Sequence, residues 1–477
     1  MKTKQMLLSG LVLFLALMNL GAQGYKIQVD IGGVKDTSVI LGYYAQSKMY
    51  VSDTIQVDSR GRGVFTGEKP LPQGMYLVYL PNQTYFDFLV GSDQQFAMKT
   101  HEPDYVKNLV ITGADESERF LSYQRLLMDR QTEAKELQQK LEALKEQPDS
   151  SKFLQERLQQ MGNDVKDLSD RLIQENPKTM LALFLTGLKA VEVPEFTVED
   201  SVVNKDSVLQ HRRYYYYKHH YFDHLDLTDD RLIRTPYFHG KLENYLTKTV
   251  IQHPDTLTAA AIGVIEKARP NAEMFRYMVQ YFFNYANDSK MMGMDAMLVA
   301  LGEKYYLSGD ATWADEEFLT KLKDRVVKIK PNLLGLKAHD MKLESLNGEF
   351  FRLSEISAPY TILAFWEPSC GHCKKEIPAL FKDVFEKYKD KGIKVMAVYT
   401  QIDTKEWQEF VEANHLEGFG WYNVFDRYQQ SGFRDHYDIF STPVIYILDR
   451  DKKIVAKRIG VENIPGFFDH EISQGRL

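Results

Sequence analysis

The chain has 477 residues, of which 44 % are hydrophobic and 26 % charged. That length suits about three domains, and the balance is an ordinary globular one, which excludes a fibrous or largely disordered chain. With 59 Lys and Arg against 66 Asp and Glu, the net charge is −7, the wrong sign for a nucleic-acid binder, which needs a basic face to displace counterions.

Lys2 and Lys4 precede an apolar run from Met6 to Leu20, and Leu20-Gly21-Ala22-Gln23 then supplies small residues for cleavage. This reads as a secretory signal over residues 1–22. The run is shorter than the roughly 20 apolar residues of a membrane span, although an uncleaved anchor is the competing reading. No cysteine sits at the cleavage region, which excludes a lipid anchor on a processed N-terminal cysteine, and no later segment has the apolar length to cross a bilayer. The expectation is an exported chain, periplasmic and free of membrane spans once the signal is removed.

From Tyr25 to about Thr112 short alternating runs follow one another, among them Tyr25 to Ile31, Ser38 to Leu41, Met75 to Leu80 and Tyr85 to Val90. Turn signals such as Asp58-Ser59-Arg60-Gly61 and Pro81-Asn82 separate them. This predicts an antiparallel β-sandwich-like domain over residues 23–115. Near Glu116 the period changes to that of helices. Leu127, Ala134 and Leu141 interleave with Leu137 and Leu144, with Arg130 the polar exception. Beyond Pro148, Leu154, Leu158, Met161, Val165, Leu168 and Leu172 recur at steps of four and three. The pattern is a heptad seam on two helices. It fits an antiparallel hairpin burying its own seam, with a homodimer through the helical region as the alternative. Helical patterning continues to Lys330-Pro331, so the helical domain is placed at residues 116–330.

The last segment, residues 331–477, alternates strands and helices as βαβαββα, an α/β sheet with parallel and antiparallel members. Tyr360 to Trp366 is a buried-strand run, Ile393 to Tyr399 a second strand, Thr404 to Asn414 a helix, and Val444 to Leu448 with Lys453 to Arg458 a hairpin. The chain's two cysteines, Cys370 and Cys373, lie where the first of these strands opens a helix. Two cysteines so close together close too small a loop to stabilise a fold, and they make more sense as chemistry. A thiol beside the unpaired N–H groups of a helix start ionises more readily, and the thiolate attacks disulfides. Cys370 is thus the candidate nucleophile and Cys373, one turn deeper, the candidate resolving thiol. Zinc would need four ligands and would have to recruit His372 and one more group. Covalent haem attachment needs a histidine where Lys374 stands. An inert pair is the bland reading.

The strand, the Cys-Gly-His-Cys run, helix-kinking Pro378 and Ser441-Thr442-Pro443 before the strand Val444 to Leu448 together resemble the thioredoxin superfamily, and in particular its exported TlpA/ResA-type branch. The resemblance covers about 140 residues. It implies that Pro443 is cis and faces the cysteine pair, and that Thr442, Pro443, His372 and Trp366 belong to the substrate-binding region, with Trp366 the core tryptophan beneath the site. It also implies protein thiols or disulfides and a redox partner protein as partners, with no metal and no cofactor. Gly371-His372 is the dipeptide of disulfide isomerases, and a histidine there can stabilise a thiolate. Ala364 stands where thioredoxins carry a buried aspartate. Glu376, three residues after Cys373, matches a functional glutamate of ResA-type proteins and is the candidate proton shuttle, with a solvated surface glutamate as the alternative. Ser369 replaces the tryptophan that usually precedes the first cysteine.

The run from His211 to His224 holds His220 and His224 at i, i+4, a metal-compatible spacing without the Glu of His-Glu-x-x-His, and packs more naturally as an aromatic helix. This region and the β domain resemble, more loosely, those of exported thioredoxin-like proteins of Gram-negative bacteria whose middle domain has no established function. The expected function is an exported thiol–disulfide oxidoreductase acting on proteins. The alternative is a non-catalytic cell-envelope binding or scaffold protein carrying a vestigial thioredoxin module.

Overall fold

The structure, a computed structural model, describes residues 24–143, 148–199 and 201–477, with the backbone alone at 148–150. The expected signal and Leu144 of the seam lie outside the described residues. The chain forms two compact units: residues up to Val250 together with Lys267–Phe275, and Ile251–Glu266 together with Arg276–Leu477.

The first unit opens with β1 (Lys26–Gly32), β2 (Thr37–Ala45), β3 (Lys48–Val57), β4 (Arg62–Thr66), β5 (Gly74–Tyr79), β6 (Tyr85–Val90), β7 (Gln95–His101) and β8 (Val110–Thr112). They build two four-stranded sheets, ordered β4-β1-β7-β8 and β3-β2-β5-β6. Along β1 the residues Ile27, Val29 and Ile31 point inward while Lys26 and Gln28 face out, the period-two pattern of a half-buried strand. Their core also holds Val39, Leu41, Phe65, Phe86, Phe88 and Phe96. The domain is not wholly antiparallel, because β1 runs parallel to β7, from Lys26 opposite Gln95 to Gly32 opposite His101. Parallel neighbours need a long connection, and the five intervening strands supply it.

Next come α1 (Asp115–Ala143) and α2 (Pro148–Glu175). They pair as the expected hairpin: Leu154, Met161 and Leu172 of the seam are buried, and Leu158, Val165 and Leu168 half-buried. Arg130, the polar member, is paired with Glu133 at 3.0 Å and with Asp164 of α2 at 3.1 Å. Arg157 reaches Glu133 at 2.6 Å. At these positions the seam is buried between the two helices of one chain. Then follow α3 (Met180–Leu188), α4 (Lys205–His220), α5 (Phe238–Asn244), α6 (Pro254–Ala268), α7 (Ala272–Asp288), α8 (Asp295–Leu301) and α9 (Glu316–Ile329). In and just after α4, His220 stacks on Tyr216 with ring centroids 4.0 Å apart and bonds Asp223, so its ring is engaged locally. Among the described residues no helix is long and apolar enough to cross a membrane.

The second unit contains a seven-stranded sheet made of β9 (Lys342–Ser345), β10 (Phe350–Arg352), β11 (Thr361–Trp366), β12 (Lys394–Tyr399), β13 (Trp421–Phe425), β14 (Val444–Leu448) and β15 (Ile454–Lys457), in the order β10-β9-β13-β12-β11-β14-β15. Three of these, β9, β10 and β13, are additions to the expected βαβαββα order. β11 lies in the interior of the sheet, parallel to β12 and antiparallel to β14. All six of its residues are buried. Ile362, Ala364 and Trp366 enter one core and Leu363 and Phe365 the other. A strand covered on both faces has no polar side, which is why it reads as a continuous apolar run.

On the C-terminal helix Ile464–Ser473, Glu471 is buried and accepts hydrogen bonds from Arg476 Nε (2.7 Å) and Nη2 (2.6 Å) and from the Tyr360 hydroxyl. Arg476 above all holds this carboxyl down, to about 2. A carboxyl depressed below its unfolded value of about 4.3 contributes stability that is complete above that pH and is lost as the pH falls toward 2. The urea midpoint is expected to drop across that window in the native chain and to change much less in Glu471→Gln. Parallel acid curves for the two proteins would remove Glu471 from the account.

Candidate active site

The site sits at the carboxyl end of β11. Six tightly paired residues end at Trp366, and the chain turns through Glu367-Pro368-Ser369-Cys370-Gly371-His372 into α10 (Cys373–Ala379). The helix proper starts at Cys373, so Cys370 lies in the turn ahead of it rather than inside it. Its carbonyl accepts the Lys374 N–H at 3.1 Å, and the His372 carbonyl accepts those of Lys375 (3.0 Å) and Glu376 (2.9 Å). Pro378 cannot donate to this ladder, and the helix passes through a wide π-type turn at Leu380–Phe385, the kind of irregularity a missing donor permits.

Both cysteines are free thiols. Cys370 is half-buried, whereas Cys373 is 0 % exposed and packs in the same core as Ala364, Trp366 and Ile377. Burial pushes the Cys370 thiol up, but hydrogen bonds from the backbone N–H groups of Cys373 and His372 and from the Thr442 and Cys373 side chains outweigh it. The net result lies below the ordinary thiol value. Cys373 is moved the opposite way. Burial dominates and raises it to about 12, despite a hydrogen bond from the Glu367 backbone. The two sulfurs are therefore split into one easily ionised, accessible thiol and one protonated, enclosed thiol.

Opposite them lies the loop before β14. The Thr442-Pro443 peptide bond is cis, and the Cys370 thiol donates to the Thr442 carbonyl at 3.2 Å across 72 positions of sequence. The structure thus brings Cys370, Cys373, Thr442 and Pro443 together, with His372 exposed at the rim. Two other expected members lie elsewhere. Trp366 is 0 % exposed and packs against Phe410, their tilted rings 5.4 Å apart, so it supports the pair from below, as the resemblance implies, and offers substrate no surface. The Glu376 carboxylate is half-exposed and accepts the Val461 N–H at 3.3 Å, a partner on the loop after β15 rather than a sulfur.

One residue escapes the sequence reading. The Glu367 carboxylate accepts hydrogen bonds from Thr442 Oγ1 (3.3 Å), Thr400 Oγ1 (3.4 Å) and Gln401 Nε2. Its backbone carbonyl accepts the Cys370 N–H at 3.3 Å. The sequence shows only an acid after a strand, and nothing in its spacing announces three partners on two distant loops.

A dithiol at a strand-to-helix junction, on an interior strand of a sheet covered on both faces and opposite a cis-proline loop, defines a thioredoxin-like domain of the thiol–disulfide oxidoreductase kind. Comparison with known families agrees. Residues 334–457 match the AhpC/TSA family, and the chain carries an AhpC/TSA thioredoxin-like domain at its C-terminus. It is preceded by two domains of unknown function, at residues 25–120 and 159–332. Among curated proteins, the thiol-disulfide oxidoreductase ResA of Bacillus cereus is 26 % identical over 129 residues, which is 27 % of this chain and 70 % of that protein. The thioredoxin-like protein YneN of Bacillus subtilis is 29 % identical over 126 residues, covering 26 % and 71 % respectively. Among solved structures, a domain of a possible thiol-disulfide isomerase from Cytophaga hutchinsonii is 40 % identical and covers 30 % of this chain and 97 % of that one, with a TM-score of 0.28.

Proposed function

We propose that the chain is an exported, periplasmic thiol–disulfide oxidoreductase that exchanges disulfides with proteins through Cys370 and Cys373. The observation that carries this is the split between the two thiols, Cys370 accessible and lowered, Cys373 enclosed and raised, beneath the Thr442 carbonyl at 3.2 Å. In the reducing direction the Cys370 thiolate attacks one sulfur of a substrate disulfide. That S–S bond breaks, the distal substrate sulfur leaves as a thiolate, and Cys370 is left in a mixed disulfide. Cys373 then gives up its proton and attacks the Cys370 sulfur. The second substrate thiolate leaves, two electrons have passed to the substrate, and the pair is left as a disulfide. The oxidising direction is the reverse.

In this reading Thr442 and Pro443 hold the substrate backbone, His372 contributes to the rim, and Glu376 exchanges protons with solvent. The domains are residues 23–115, 116–330 and 331–477 after a signal at 1–22. Docking of substrate, of a redox partner protein or of a second copy falls to the residues before 331. The test is insulin reduction with dithiothreitol. The full chain accelerates precipitation of the insulin B chain over dithiothreitol alone, and equal rates would discard the redox assignment.

A further inference from the structure

The Glu367 carboxylate is the unexplained group of the site. It stands at the end of β11 and gathers donors from two other loops: Thr400 and Gln401 after β12, and Thr442 before β14. On the far side of Thr400, the Arg434 guanidinium donates to the Thr400 carbonyl at 2.6 Å, so the loop that bonds Glu367 is itself held. Solvation of an isolated surface acid requires none of this.

The consequence runs through Thr442. A threonine hydroxyl has one proton to donate. Here it has two claimants: Glu367 Oε1 at 3.3 Å and the sulfur of Cys370, which lies 3.2 Å from the carbonyl of the same threonine and is lowered by its side chain. An ionised carboxylate is the strong competitor, since charge-assisted hydrogen bonds are roughly twice as strong as neutral ones. The proton is shared, so the pull of Glu367 weakens the hydrogen bond that the Thr442 hydroxyl gives the Cys370 sulfur, and the Thr442 carbonyl above Cys370 accepts only from the protonated thiol.

We propose that Glu367 is the positioning residue that sets the redox poise of the pair. Through Thr442 it latches the cis-proline loop over Cys370 and weakens the hydrogen bond which that residue gives the thiolate, which makes the dithiol a stronger reductant than the same pair without the carboxylate. The inference rests on the redox function proposed above and assigns it a direction: the reduced form is the less stabilised one, so the pair tends to give electrons away.

The test compares the full chain with Glu367→Gln and Glu367→Asp. Each protein is equilibrated in glutathione buffers of known ratio and its dithiol content counted, and Cys370 alkylation by iodoacetamide is followed against pH. For Glu367→Gln the equilibrium with glutathione moves about tenfold toward the reduced protein, equivalent to about 30 mV for a two-electron couple, and the midpoint of Cys370 alkylation falls. Glu367→Asp keeps the charge but draws it back from Thr442, so it moves both readouts the same way by less. A merely structural loosening would slow turnover and leave the equilibrium constant where it was. Native potential and native alkylation midpoint in a folded Glu367→Gln protein overturn the assignment, and Glu367→Asp decides alone if Glu367→Gln does not fold. If instead the unaltered chain neither equilibrates with glutathione nor reduces insulin, it is the redox function that falls.

Discussion

Cys370→Ser reduces insulin no faster than dithiothreitol alone, while Cys373→Ser stalls halfway. The two variants remove groups of opposite character. Cys370 is half-buried, bonded by N–H donors at the start of α10 and lowered in pKa, so losing it removes the attacking thiolate and every later step. Cys373 is wholly buried and its thiol raised to about 12. It contributes nothing to the first attack, and its absence leaves the Cys370–substrate disulfide with no internal thiol to break it. The Cys373→Ser protein mixed with insulin accumulates an adduct joined through residue 370, readable by mass and by its release with excess dithiothreitol. An adduct forming through residue 373 in Cys370→Ser, or full turnover by Cys373→Ser, would reverse the assignment of attacker and resolver.

The placement of the two cysteines and the proline loop was legible in sequence because it depends on short spacings: a strand end, two residues between cysteines, a proline before the next strand. β11 was legible because burial on both faces leaves six apolar residues in a row, and the α1–α2 hairpin because its seam repeats regularly. Other features are settled by partners far away in the chain. The parallel pairing of β1 with β7 depends on which strand arrives beside β1 after five others, and nothing within β1 encodes it. β9 and β10 have four and three residues, too few to display a period, and β13 carries Tyr422 and Asn423 half-buried in its middle. Glu367 is the sharpest case, since its partners stand 33, 34 and 75 positions away. Trp366 lies beneath the pair as the resemblance implies, because its alternation with Phe365 turns it inward, and its burial removes it from the substrate-binding surface.

The same unit contains the group whose loss is expected to cost most in stability. Lys457 of β15, the edge strand, is 6 % exposed. Its ammonium donates to the Asp295 carboxylate of α8 and, at 2.6 Å, to the Asn332 carbonyl just after α9. Burial holds this lysine below its ordinary value even with Asp295 beside it. Asp295→Ala leaves an enclosed cation with one carbonyl for company, and breaking a buried pair in this way costs about 3–5 kcal/mol. Lys457→Met combined with Asp295→Leu removes the charge and its partner together and is expected to cost far less, since apolar replacement of a whole buried pair is often neutral. The urea midpoint of the unit measures both. A direct check on the cause is pH: in Asp295→Ala the folded lysine titrates below the unfolded one, so the unfolded state binds more protons and stability climbs as the pH is raised through the folded value. An Asp295→Ala protein as stable as the native chain, or one whose deficit does not shrink at alkaline pH, would show that the Asn332 carbonyl alone suffices to hold the charge.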